Sequence, residues 1–419
     1  MTLPAHSGRR WRVVTLCAAL VLATTGVKVP AVWAQKQTLT ASDGVDGDFF
    51  GLPIAISGNT LVVSAPGDDV TVANQGSVRV FVRDSGVWVE QQTLTASDAT
   101  ALDGFGGAVA ISGNTIVVGA SGHDGSRGAA YVFVERGGVF NQAQKLVASD
   151  RAANDLFGTS VAINGTTLVV GAMGDDGNRG AAHVFAQTDG LWTEQQKLTA
   201  GDRSVPAFPF DTFGRSVVLS GDTIIVGTPR NGIGAPTPAG AAYVFQLVDG
   251  AWRQRQKLTA SDDGPTNRFG NGLALSGETL VIGAPGANND RGAVYVFARD
   301  TAGVWIEQQK VVASDGLTGD SFGLAVALRG RSLLVGAAGD DVGPNNNQGS
   351  AYVFSLTNGF WTEQQKLTAS DGATRDGLGF SVELRGNELL VGTQLDTVAG
   401  NTFQGSVRVF GVTTATPLR

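Results

Sequence analysis

One dipeptide constrains this chain more than any other feature. Phe-Gly stands at Phe50-Gly51, Phe105-Gly106, Phe157-Gly158, Phe213-Gly214, Phe269-Gly270 and Phe322-Gly323, and Leu378-Gly379 is a degenerate seventh copy. Fourteen residues after each first position comes a small-residue triplet, from Ser64-Ala65-Pro66 through Gly171-Ala172-Met173 to Gly392-Thr393-Gln394. A constant spacing in seven copies overrides the two or three domains that 419 residues would otherwise suggest. The copies begin near residues 37, 92, 144, 196, 256, 309 and 365.

Each copy contains four strand-like runs. Phe157 to Ile163 typifies the first, and a Gly-centred hairpin turn such as Ser112-Gly113-Asn114-Thr115 follows it. Thr167-Leu168-Val169-Val170 is nearly all apolar and reads as a strand buried on both faces. Ala242-Tyr243-Val244-Phe245 typifies the third run, in whose matching position all four tyrosines lie. The fourth, Trp-x-Glu-Gln-Gln-Lys-Leu, alternates like an outer strand with one wet face, its aromatic being Trp88, Phe140, Trp192, Trp252, Trp305 or Trp361. The pattern predicts an all-β, seven-bladed propeller of four-stranded antiparallel blades, since a lone sheet of this kind must pack between neighbours. The last copy ends at Val407-Arg408-Val409-Phe410 without a fourth run, which appears instead at Gln35-Lys36-Gln37-Thr38-Leu39-Thr40. The N-terminal strand is therefore expected to complete the last blade, removing a free edge. A linear solenoid would leave that segment an orphan.

Residues 1–34 read as a secretory signal, with Arg9, Arg10 and Arg12 ahead of an apolar run from Val13 to Val27. Val32-Trp33-Ala34 offers small residues for cleavage before Gln35, leaving 35–419 as one domain. The apolar run is shorter than the roughly 20 residues a membrane span needs. Cys17, the only cysteine, leaves with the leader, so export would bring no disulfide. Lys and Arg total 30 against 37 Asp and Glu, and the leader carries four of the basic residues and no acid, so the mature chain is more acidic still. That balance disfavours nucleic acid as a partner.

The Phe-Gly repeat resembles the FG-GAP family, the repeat that builds the seven-bladed propeller at the head of integrin alpha chains. Its copies are most similar to the short-looped versions of exported bacterial proteins. The resemblance implies an extracellular binding or adhesion module, a monomer without a membrane span, with a protein or glycan as its ligand. It does not carry over the integrin-type calcium loop. The connection between the first two strands is only Ser57-Gly58-Asn59-Thr60 or Ser220-Gly221-Asp222-Thr223, too few carboxylates for a cation that takes six to eight oxygens.

In such a blade, the loop between the second and third strands shares a face with the loops entering the blades. All but five aspartates fall in these loops. The entering loops hold Asp43 and Asp48, Asp150 and Asp155, Asp315 and Asp320; the second loops of the same copies add Asp68-Asp69, Asp175-Asp176 and Asp340-Asp341. One reading makes these turn formers that accept backbone hydrogen bonds. Another has the carboxylates of one blade converge on Ca2+, the only cofactor implied, with copies one, three and six best supplied. A third leaves an acidic field for cationic partners. Copy four departs from its siblings, bringing Phe208, Phe210 and Arg230 to this rim as a candidate partner contact, unless the phenylalanines tuck back onto the blade. No catalytic residue is assigned. His123 and His183 occupy unlike repeat positions, and no Gly-x-Ser-x-Gly elbow or phosphate loop appears. A binding module is expected; a hydrolase or lyase at the mouth of the central channel, or a structural surface protein, are the alternatives.

Overall fold

The computed structural model describes residues 32–202, 211–230, 239–262, 264 and 266–413. Their 28 strands form seven four-stranded antiparallel sheets, each in chain order from the inner to the outer strand in six blades. The seventh closes the ring as expected. Its outer strand is Val32–Leu39, paired antiparallel with Ser406–Thr413, the last strand of the chain.

Burial follows the sequence pattern. The second strand of blade 3, Thr167–Ala172, is buried over five of six positions, while the outer strand Leu191–Leu198 alternates. The phenylalanine of each Phe-Gly pair is buried, and in five of the six its backbone bridges in parallel to the glycine before the third strand of the preceding blade, as in Gly128 with Phe157. Phe157 sets its ring edge-on to Phe185 at 6.1 Å. The following Gly158 has φ +96, and a Cβ there would lie 2.4 Å from the Ala129 carbonyl oxygen. Positive φ and close backbone approach together require glycine. Each Phe-Gly pair is thus the seam between two blades.

A second seam is built on the outer strands. The amide of Gln144 donates to the Trp192 carbonyl oxygen and accepts from its backbone N–H, at 2.8 and 2.9 Å. The same two-bond clamp links Gln37 to Trp88, Gln92 to Phe140, Gln196 to Trp252, Gln256 to Trp305 and Gln309 to Trp361. The seventh clamp joins Gln365 to Trp33, both bonds 2.8 Å. The closing strand therefore starts at Val32, upstream of the Gln35 start expected from the leader, and Trp33 is the seventh aromatic of the series. No helix among the described residues is long and apolar enough to cross a membrane.

Candidate functional site

Backbone hydrogen bonds hold the two loop sets against each other. Gly174 of the second loop donates to Asp155 in the entering loop of its own blade, and Leu156 donates to Ser126 in the second loop of the preceding blade. Both sets thus lie on one face of the ring.

Beneath them, one cross-strand pair per blade decides what the first entering-loop aspartate meets. In blade 2 the pair is Tyr131 and Lys145. The tyrosine hydroxyl donates to Asp98 Oδ1 at 2.8 Å and the Lys145 ammonium to Oδ2 at 2.6 Å. Blade 4 repeats this with Tyr243, Lys257 and Asp202, blade 5 with Tyr295, Lys310 and Asp262, and blade 6 with Tyr352, Lys366 and Asp315. Blades 1 and 7 exchange both members at once. Arg79 stands opposite Thr93, and Arg408 opposite Thr38. The Arg79 guanidinium lies 2.8 Å from Asp43 and 2.6 Å from Asp68, and donates to Thr93 Oγ1 at 2.6 Å. Arg408 treats Asp371, Asp396 and Thr38 likewise. The positive charge has moved from the outer strand to the third, and still meets the loop carboxylate.

The aspartates of copies one, three and six do converge across the two loops, as the sequence suggests. They converge on cations of the chain itself. Asp43 and Asp68 share Arg79; Asp150 and Asp175 each lie 2.6 Å from Lys197 Nζ; Asp315 and Asp340 each lie 2.7 Å from Lys366 Nζ. The second entering-loop aspartates do something else. Asp48, Asp155 and Asp320 accept the backbone N–H three residues before them, from Val45, Ala152 and Leu317 at 2.5 to 2.7 Å. They cap their own turns. Asp69 and Asp341 accept from the backbone of Asn74 and Asn347, and Asp176 pairs with Arg179 at 3.1 Å.

The electrostatics follow this division. Burial raises Asp98, Asp202, Asp262 and Asp315, but the lysine and tyrosine donors outweigh it and hold all four below the usual carboxylate range. The turn caps shift the other way. Burial, opposed by the turn N–H, raises Asp155 and Asp320 and pushes Asp48 up to about 6.

Blade 3 carries the one histidine variant of the cluster. His183 takes the tyrosine position, fully buried, with Nδ1 2.8 Å from Glu194 Oε1 and Nε2 3.6 Å from Asp175 Oδ2. Asp150, Asp175 and His183 form a group with metal-ligand geometry, but the Lys197 ammonium sits between the two carboxylates. Burial pushes His183 down, yet Asp175 and Glu194 prevail and its pKa is raised. A raised value means its stabilising contribution is full below the unfolded pKa and is lost as pH rises through the folded one. Asp175 and Glu194 are lowered, so their contribution is lost only well into acid. His183→Tyr, which restores the residue of four sister blades, is therefore expected to flatten the stability loss on the alkaline side of the ordinary histidine value. Urea unfolding midpoints across that range check it; an unchanged slope would refute the assignment.

Sequence reasoning placed the partner contact in copy four. Phe208 and Phe210 lie outside the described residues; Arg230 is exposed, with Arg215 close enough that burial and the Arg230 charge lower its pKa. A different apolar surface appears over blades 7, 1 and 2. Phe403 stacks on Phe49 with centroids 6.3 Å apart, and Phe403, Val70, Val72 and Leu102 are exposed, Leu102 at 70%. Backbone bonds from Phe49 to Phe403 and from Leu102 to Ala73 make the surface continuous. Its signal in the sequence was Phe403, an aromatic in a second loop where sister copies have none.

These features define a closed seven-bladed propeller whose loop face is set by internally partnered aspartates. A family model described as FG-GAP repeat matches residues 33–81, 88–133, 140–185, 192–245, 252–297, 305–354 and 361–410. The chain belongs to the FG-GAP repeat family. Each match runs from one outer strand to the third strand of the next blade, the first beginning at Trp33, so the repeat unit is offset from the blade as the closure requires. No curated protein is similar enough to the chain to count as a relative.

Proposed function

We propose that this is an exported, non-enzymatic binding propeller of the adhesion type that engages a protein or glycan through its loop face without Ca2+. The observation that carries the reading is the Phe49–Phe403, Val70, Val72 and Leu102 surface, flanked by the exposed Asp46 and Asp69. Exposed aromatic and aliphatic side chains beside charge are what interface centres use. Independence from Ca2+ follows from the cations already seated between the carboxylates: an incoming ion would have to displace Lys197, Lys366 or a buried arginine.

The test is a binding panel of extracellular proteins and glycans presented to the purified propeller, with Phe403→Asp and Leu102→Asp variants alongside. A ligand that binds the parent should lose at least about tenfold in affinity to each variant, the size expected of an interface anchor. Its binding should be the same in EDTA and in Ca2+. Binding that survives both variants places the contact elsewhere.

A further inference from the structure

The inner strands enter from the loop face and end at the opposite end of the central channel. There they enclose a cavity of about 580 Å3, walled by Ile56, Leu275 and Leu384, among others, with Asn164, Arg329 and Glu383 as its polar groups. Glu383 breaks the sevenfold pattern. Its register position, opposite the second strand, is alanine in five blades, Ala55 and Ala327 among them, and Val218 in the other. Arg329 breaks it too, at the last residue of the inner strand, where four blades have serine. The other arginine at this position, Arg385, is committed to Gly58 and Asn59 of blade 1. Arg329 and Glu383 are not: among the described residues neither side chain makes a hydrogen bond or an ion pair, and the exposed Arg329 acts on Glu383 through its charge alone.

We infer that the channel end binds a small zwitterion, the chemistry of a free amino acid, its ammonium on Glu383 and its carboxylate on Arg329. Opposite charges facing one cavity without closing on each other leave room for a molecule carrying both complements. The volume lies in the usual range for small-ligand sites. Burial pushes Glu383 up to about 8, with Arg329 opposing, so an arriving ammonium would displace a proton. The site lies away from the loop face and stands or falls independently of the adhesion reading.

Isothermal titration of the purified protein with norleucine, hexylamine and hexanoate tests this. Norleucine should bind once per chain, at least about tenfold more tightly than either single-charge analogue. Near neutral pH, binding should release a proton, read from buffers of different ionisation enthalpy. Glu383→Ala installs the residue of five sister blades and Arg329→Ser that of four, so both should fold with unchanged melting. Each should weaken norleucine by at least about tenfold, and Glu383→Ala should abolish the proton release. No heat with norleucine at millimolar concentration, or undiminished binding by Glu383→Ala, would overturn the assignment.

Discussion

Arg79→Met is expected to destabilise the propeller by about 3–5 kcal/mol, the cost of breaking a buried ion pair by removing one partner. The guanidinium is almost fully buried, its side chain 2% exposed, and Asp68 beside it is buried as well. Methionine would fill much of the space and leave Asp68 without its cation. The sister blades supply the rescue. In blade 6 an equivalent pair of loop acids, Asp315 and Asp340, is held by Tyr352 and Lys366. Arg79→Tyr combined with Thr93→Lys rebuilds that arrangement in blade 1 and should recover most of the loss, whereas Arg79→Tyr alone should not. Urea denaturation of the four proteins measures this. If the double variant is no more stable than the single one, charge exchange between the strands is not what holds these loops.

A chain beginning at Gln35 is expected to be about 2–4 kcal/mol less stable than one beginning at Val32. The shorter chain lacks Trp33, which is half-buried against the core of blade 7, and with it both hydrogen bonds of the seventh clamp. Losing much of a tryptophan side chain and two net hydrogen bonds gives that range. Urea denaturation of the two purified chains measures the difference. A chain beginning at Gln35 that is as stable as the longer one would contradict this role of Trp33.

Most of the fold was legible because a repeat is read seven times. The Phe-Gly seam, the buried second strand and the alternating outer strand each recur with the same spacing, so accidents in one copy cancel. Trp33 was not read as the seventh outer-strand aromatic because a small-residue pattern occupies the same three residues, and only strand register shows its pairing. The aspartate loops were found, and with them the turn-capping role of Asp48, Asp155 and Asp320, but not the ion pairs of Asp43, Asp150 and Asp315. Whether Asp43 faces solvent, a metal or a guanidinium depends on Arg79, which lies 36 residues away and reaches it only through the blade. The exchange of Tyr and Lys for Arg and Thr in blades 1 and 7 was visible in the aligned copies. It becomes meaningful once the two positions are known to face each other across a strand pair. Glu383 was open to the same reasoning, as the one carboxylate among alanines on an inner strand.

The central claim is that cations of the chain itself occupy the carboxylates of the loop face. It is tested most directly by thermal unfolding of residues 32–419 in excess EDTA and again in millimolar Ca2+. A ligand at 100 times its dissociation constant stabilises by about 2.7 kcal/mol per site, so three occupied blades would raise the transition by many degrees. The account predicts the same melting temperature in both solutions. A clear upward shift in Ca2+ would show that the ion displaces Lys197, Lys366 or Arg79, and would contradict it.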